Sequence, residues 1–236
     1  MPPSSVKSLD EALAVASTCV WGLPLRPMQL RALLFLFGPA NLGRKMLLVD
    51  RPGGGKSHVV RMIGTMLRGV HLVVHPLLAL TADQVPNFRT GSERFGPISA
   101  HNLDELASGF SGKRYRSRLL KYLLGISPET SRTVYLFASP HFLATYHDVR
   151  NVLLNSSRRG VLRSVTLDEA HCYAKQGASF RPEICMLRGT LFSKLYPNTS
   201  AKRRTYLVCA TAIDSKNDHR RLEHLTCSTF PEASRC

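Results

Sequence analysis

The stretch Asp50-Arg51-Pro52-Gly53-Gly54-Gly55-Lys56-Ser57 constrains the fold more than any other part of this chain. An apolar run, Met46–Val49, leads into it, and a helical pattern over Ser57–Leu67 leaves it. Strand, glycine turn and helix in that order make an anion cradle. Gly53, Gly54 and Gly55 let backbone N–H groups curl around phosphate oxygens where side chains would block the approach. The helix aims its positive N-terminus at the same anion. Lys56 is then placed to reach the β- and γ-phosphates of a nucleoside triphosphate, and Ser57 to hold Mg2+. The full pattern has glycine where this chain has Asp50; the GGGKS core is intact. An ordinary glycine turn is the rival reading, and the flanking strand and helix weigh against it.

The remaining apolar runs extend this start into a sheet. Leu72–Val74, Thr133–Ala138, Val161–Leu167 and Tyr206–Cys209 are continuous rather than alternating in hydrophobicity, as strands buried on both faces must be. Helical patterns separate them: one after Pro76 to about Val85, one from His141, and one over Glu183–Leu195 whose Ile184, Leu187, Leu191 and Leu195 read as core packing. This alternation predicts an α/β domain with a central, mainly parallel sheet and helices on both faces. The region from Pro86 to Glu129 is polar and then basic, and its strands are hard to place.

Leu167-Asp168-Glu169-Ala170-His171 closes the fourth run, 112 residues beyond Lys56 at its first acid. Open parallel sheets place their ligand crevice at such carboxyl ends. Asp168 suits a Mg2+ ligand, acting through water, and Glu169 suits the base that orients and deprotonates a water attacking the γ-phosphate. Acids at strand ends are common; acids paired with a phosphate loop are not.

Composition narrows the partner. The 236 residues carry 32 Lys and Arg against 16 Asp and Glu, a net charge of +16, which calls for a polyanion: nucleic acid first, an anionic membrane surface second, with a merely solvated basic surface as the rival. The six cysteines form no CxxC pair and no Cys/His cluster at zinc spacing, so they read as reduced thiols. The N-terminus lacks the pattern of a signal peptide, and Leu33–Phe37, the longest apolar stretch, is too short to span a bilayer. A soluble protein of the nucleus or cytoplasm, without membrane contact, is expected.

With the motifs in this order, the chain resembles the RecQ-like branch of the helicase superfamily that also holds the DEAD-box and DEAH-box proteins. Leu25-Arg26-Pro27-Met28-Gln29 is similar to the family's upstream motif, and the resemblance implies that Arg26 and Gln29 contact the adenine side of ATP. Val73 through Val85 resembles the family segment that begins at a Pro-Leu pair and ends in Asp-Gln-Val near bound DNA. Asp168 through Cys172, continuing to Phe180-Arg181-Pro182-Glu183, resembles the RecQ aromatic-rich loop, which casts Tyr173, Phe180 and Arg181 as nucleic-acid contacts. Cys209-Ala210-Thr211-Ala212 is similar to the motif linking hydrolysis to movement, through Thr211, and Phe137-Ala138-Ser139-Pro140 to a further nucleic-acid motif. His171 completes the DEAH set with Lys56, Asp168 and Glu169. The chain departs from the family at Gln176, where RecQ proteins carry Trp, at Ala178 and Ser179, where they carry His and Asp, and at Cys209, which replaces a threonine-like residue.

The resemblance implies a RecA-like P-loop domain over residues 21–230, after an N-terminal extension over 1–20 and before a tail over 231–236. It implies ATP and Mg2+ as cofactors, single-stranded or forked DNA as partner, and 3′-to-5′ unwinding in DNA repair and recombination. It implies further that this is the first motor domain, with the second, which brings arginine fingers, missing from the chain. Two other classes stay open: a nucleic-acid-binding module that uses ATP as a switch or not at all, and an unrelated P-loop enzyme such as a nucleotide kinase. The densest basic stretch, Lys113-Arg114-Tyr115-Arg116-Ser117-Arg118 with Lys121-Tyr122, puts Arg114, Arg118 and Lys121 on one helical face, either lining phosphates beside a tyrosine or simply solvated. His58, His75, His141 and His147 are unclustered and read as structural. Trp21 reads as packing, with base stacking as the alternative.

Overall fold

The computed structural model describes residues 8–39, 45–76, 78–89, 96–107, 109–175, 182–196, 205–211, 216–227 and 230. Gln176, Phe180, Arg181 and Ala212 lie outside them. Six strands, β1 (Lys45–Val49), β2 (Gly69–Val74), β3 (Ile98–Asn102), β4 (Thr133–Ala138), β5 (Leu162–Leu167) and β6 (Tyr206–Thr211), form one sheet in the order β1-β6-β5-β2-β4-β3. Every pairing is parallel. The expected five strands are present, each in the apolar run that predicted it. The central strands β2 and β4 are buried at all six positions, which is why their sequences run apolar without alternation.

The sixth strand, β3, falls in the region whose strands are hard to place from sequence. It is the edge strand, and of Ile-Ser-Ala-His-Asn only Ala100 is fully buried. A strand that short, with one side chain in the core, leaves no periodic signal. Its partner register runs from Ile98 opposite Thr133 to Asn102 opposite Phe137.

Helices cover both faces. On one lie α1 (Leu9–Trp21), α2 (Pro27–Phe37), α3 (Lys56–Met66) and α4 (Leu78–Arg89). Leu13 of α1, Leu33 of α2 and Val59 and Ile63 of α3 pack with Met46, Leu48 and Val208 of the sheet. The stretch read as an N-terminal extension therefore contributes α1 to this packing. On the other face lie α5 (Gly109–Leu124), α6 (Pro140–Thr145), α7 (His147–Arg158), α8 (Ala170–Lys175) and the C-terminal helix Lys216–Thr226. Their core includes Leu119, Leu123, Leu143, Leu153, Leu222 and the inward residues Leu72 and Leu136. The helix expected over Glu183–Leu195 begins as Pro182–Leu187, widens into a π turn over Arg188–Phe192 and ends with Ser193–Leu195. Leu187, Leu191 and Leu195 are buried as the pattern required. Among the described residues no helix is long and apolar enough to cross a membrane.

Candidate active site

The phosphate loop is shaped by its glycines. Gly53 and Gly55 adopt φ of 74° and 94°, left-handed values that only glycine takes without strain. A Cβ on Gly54 would lie 1.7 Å from Asp50 Oδ2, and one on Gly55 would lie 2.3 Å from Gln29 Nε2. Asp50 turns its carboxylate back to accept the Arg51 N–H at 2.9 Å, filling space that the glycine of the full pattern would leave open. Lys56, first residue of α3 and buried, donates to the carbonyls of Asp50 at 2.8 Å and Arg51 at 3.1 Å, so the loop holds the ammonium in place. Ser57 follows at the positive end of α3.

The upstream motif meets this loop. Pro27 opens α2, and Gln29, three residues from the cap, accepts the Arg26 N–H at 2.9 Å. Gln29 Nε2 donates to Gly55 O at 3.1 Å, and Arg26 Nη1 to Gly53 O and Gly54 O at 3.3 and 3.4 Å. Arg26, Gln29, Gly53, Gly54, Gly55, Lys56 and Ser57 are thus one constellation. Trp21 stays below it, donating Nε1–H to Thr65 Oγ1 at 3.0 Å beside the Arg61 guanidinium, which is a packing role.

The acids stand one strand away. In the order β1-β6-β5, β6 lies between the loop strand and the acidic strand, with Val49 opposite Thr211 and Leu167 opposite Cys209. Asp50 N–H donates to Thr211 O at 3.0 Å, and Asp168 N–H continues the β5–β2 ladder to Val74 O at 3.0 Å. Glu169 then takes φ of 47°, an unfavourable left-handed conformation for a residue with a side chain. Such strain persists where the surroundings over-determine it, commonly at functional sites. The turn brings His171 Nδ1 to 3.3 Å from Glu169 Oε2 and 3.2 Å from Thr211 Oγ1. One imidazole nitrogen thus hydrogen-bonds the threonine expected to link hydrolysis to movement and stands close to the acid expected to act as base. Tyr173 is buried and donates its hydroxyl to Val74 O at 2.9 Å, a placement that anchors α8 rather than presenting the ring for stacking.

Two further residues belong here. His75, next after β2 and 1% exposed, lies with Nδ1 3.2 Å from Asp168 Oδ2, close without the alignment of a hydrogen bond, and its ring stacks on Phe137. Burial holds its pKa below the ordinary imidazole value, against the upward pull of the Asp168 and Asp104 carboxylates. Gln84 of α4 points Nε2 at the same Asp168 oxygen from 3.5 Å. Both stand in the segment ending Asp-Gln-Val. Their meeting with Asp168 depends on β2 pairing with β5, which sequence separation conceals. Beside them Ser139 caps α6 and donates to Asp104 Oδ1 at 2.5 Å, so the Ser139-Pro140 turn is a braced loop.

The glycine cradle fits a nucleoside triphosphate. The Ser57 hydroxyl and the Asp168 carboxylate are hard oxygen donors of the kind Mg2+ prefers.

No protein-family model matches the chain. It is 31% identical over 146 residues to the ATP-dependent DNA helicase Q-like 4B of Arabidopsis thaliana, covering 62% of this chain and 12% of that protein. It is 31% identical over 158 residues to the ATP-dependent DNA helicase Q5 of Rattus norvegicus, covering 65% and 14%. With the ATP-dependent DNA helicase Q-like 5 of Arabidopsis thaliana the identity is 30% over 191 residues, covering 79% and 18%. The matched parts are thus under a fifth of these relatives' length. In fold, the chain is similar to the DUF1998 helicase MrfA in its crystal structure bound to DNA and AMPPNP, with a TM-score of 0.60 at 16% identity over 96% of this chain and 29% of that one. The DNA-bound form of MrfA gives a TM-score of 0.56 at 16% identity over 97% and 27%. By sequence this chain is similar to a segment of RecQ-type DNA helicases, and its fold is the parallel α/β architecture of a RecA-like domain.

Proposed function

We propose that this chain is the ATP-hydrolysing motor part of a RecQ-type helicase that binds single-stranded or forked DNA and unwinds the duplex in the 3′-to-5′ direction, in repair and recombination. The observation that carries the reading is His171 Nδ1 lying between Glu169 and Thr211, the latter at the end of β6, whose neighbour β1 leads into the phosphate loop. In this reading Arg26 and Gln29 hold the adenine side, and the Gly53–Gly55 amides and Lys56 hold the phosphates. Lys56 exchanges its two loop carbonyls for β- and γ-phosphate oxygens. Mg2+ held by Ser57 and Asp168 would supply neutralisation of phosphate charge. Glu169 accepts the proton of the attacking water, and His171 reports its state to Thr211. Phe180 and Arg181 would contact DNA, and a second motor domain would bring the arginine finger.

Titration of a fluorescent ATP analogue with and without Mg2+ tests the binding part, and phosphate release with single-stranded DNA tests the chemistry. Lys56→Ala is expected to weaken nucleotide binding at least about tenfold. Glu169→Gln is expected to keep binding and lower turnover about a hundredfold or more, the range for removal of a general base. Nucleotide binding indifferent to Lys56→Ala would remove the motor reading and favour a nucleic-acid-binding module.

A further inference from the structure

We propose that the outward side of α5 is a binding surface for single-stranded nucleic acid, separate from the nucleotide site. In it Tyr115 and Tyr122 stack on bases while Arg114, Arg118 and Lys121 hold phosphates. The proposal deepens the helicase reading by giving the strand a second contact, on a helix that none of the motifs above includes.

The helix composition is lopsided. Gly109–Leu124 contains five basic residues and no acid. Its rotation about its own axis is fixed from within, because Leu119 and Leu123 are buried in the core. A Cβ on Gly112 would stand 3.0 Å from Leu106 O, so the helix sits close against the backbone there. At about 100° per residue, that anchoring places Lys121, Arg114, Arg118, Tyr122 and Tyr115 in that order in one sector of about 120°, from Lys121 opposite the core to Tyr115 beside the buried stripe. Tyr115 is 46% and Tyr122 39% exposed, a large apolar area to leave in water; the Tyr115 hydroxyl meets His101 Nδ1 at 3.1 Å, which steadies a ring still open to solvent. The two rings are one heptad apart, about 10 Å along the axis.

Arg116 shows how this helix treats a cation with a structural duty. It turns inward, pairs with Asp148 at 3.3 Å and lies 4.2 Å over the Tyr146 ring. Among the described residues no acid pairs with Lys113, Arg114, Arg118 or Lys121. The surroundings continue the pattern. Tyr115 lines a cleft with Arg89 and His101 at the open edge of the sheet, and Tyr122 lines another with Lys121 and Arg132. Each cleft holds one acid, and each is engaged: Glu105 accepts from Asn102 Nδ2 at 3.0 Å, and Glu129 accepts from Ser127 Oγ.

Cations alone would suit any polyanion. Rings among them suit bases with free faces, which a single strand offers and a duplex hides. A lipid surface would call for a broad aliphatic face, and Leu124 is the only exposed large aliphatic residue described on α5.

Anisotropy of a labelled oligothymidine, titrated with the full chain over a range of salt and without nucleotide, tests the surface. Tyr115→Leu with Tyr122→Leu is expected to weaken binding about thirtyfold or more at unchanged salt slope, since stacking releases no counterions. Replacing both tyrosines by Phe should keep the affinity. Arg114→Gln, Arg118→Gln and Lys121→Gln together are expected to flatten the log–log salt slope by about 2, at about 0.7 per phosphate contact. Circular dichroism melts report folding of each variant. ATP-analogue binding should be unchanged in both sets, so loss of nucleotide binding in Lys56→Ala and loss of oligonucleotide binding here fail independently. Oligonucleotide affinity and slope that match the parent in both sets overturn the proposal. So does binding confined to anionic vesicles, which would make the face a membrane contact.

Discussion

His75 contributes nothing recognisable by its own sequence position, and its importance comes from what the sheet sets beside it. Val74 stands opposite Leu167, so the next residue on each strand, His75 and Asp168, emerges at the same carboxyl edge. The imidazole is buried, stacked on Phe137 and 3.2 Å from the carboxylate, while Gln84 approaches only to 3.5 Å. This proximity predicts a positioning role for His75 toward Asp168. His75→Ala is expected to raise the Mg2+ concentration needed for half-maximal ATP hydrolysis several-fold, while Mg2+-independent binding of the ATP analogue stays within about twofold. His75→Asn, whose amide can stand in for the Nδ1 edge, should recover most of the loss. A merely structural histidine would instead lower stability without moving the Mg2+ requirement, and equal Mg2+ curves for parent and His75→Ala would dismiss the role. The motif residues were legible because each carries its chemistry in a short run: three glycines before Lys56, two acids after an apolar strand. The contacts that organise them were not. His171 with Thr211 and His75 with Asp168 join segments 40 and 93 residues apart through strand order. Tyr173, assigned from the resemblance to nucleic-acid contact, is committed instead to Val74 O inside the domain.

At the scale of elements, α3 has to satisfy the phosphate loop at its start and a buried tyrosine at its middle. Tyr135 of β4 is fully buried, and its hydroxyl donates to Arg61 O at 2.8 Å. Burial drives the phenol pKa well above its ordinary value. Gly64 makes room for that ring: an added Cβ would lie 2.1 Å from the hydroxyl oxygen. Helix propensity alone favours alanine over glycine by about 1 kcal/mol, but overpacking a rigid buried ring costs about 1–3 kcal/mol. Gly64→Ala is therefore expected to destabilise the protein in urea unfolding, and Tyr135→Phe in the same chain to return part of the loss. A gain in stability from Gly64→Ala alone would contradict this packing. Sequence periodicity cannot see such a pair, since the glycine looks like an ordinary weak point in a helix. The same limit explains the elements. Five strands were readable because they are buried on both faces, whereas β3 buries only Ala100 fully and α1 precedes every motif. The π turn at Arg188–Phe192 inserts into a helix without disturbing the burial of Leu187, Leu191 and Leu195, so the apolar spacing survived while the hydrogen-bond pattern changed.

The whole molecule carries its charge excess around a core that contains neutral histidines, and the two make opposite demands of the solvent. His71 of β2 is fully buried: one ring nitrogen lies 2.7 Å from Leu67 O and the other 2.8 Å from Ser164 Oγ, an arrangement that suits a neutral ring donating to the carbonyl. Burial lowers its pKa to about 3. His58 of α3 contacts Ser17 Oγ at 2.8 Å, tying the phosphate-loop helix to α1, and burial, with Arg61 and Arg26 nearby, lowers its pKa to about 4. Both folded values lie below the ordinary 6.5. As pH falls, the unfolded chain takes up protons first, so the stability these histidines lend is complete above about pH 6.5 and is lost as pH descends towards 4 and 3. Within that window each linked histidine contributes a slope of up to about 1.4 kcal/mol per pH unit. Repulsion within a chain of net charge +16 also grows in acid, as carboxylates are protonated. Salt separates the two causes. Exposed charges are screened beyond about 8 Å at 0.15 M ionic strength, whereas proton uptake by a buried ring is not. Urea midpoints measured from pH 7.5 down to pH 4.5 should fall at high salt as well as low, and His71→Gln, which keeps one donor and one acceptor, should flatten the fall at both. If high salt alone abolishes the acid loss, surface repulsion accounts for it and the buried histidines do not.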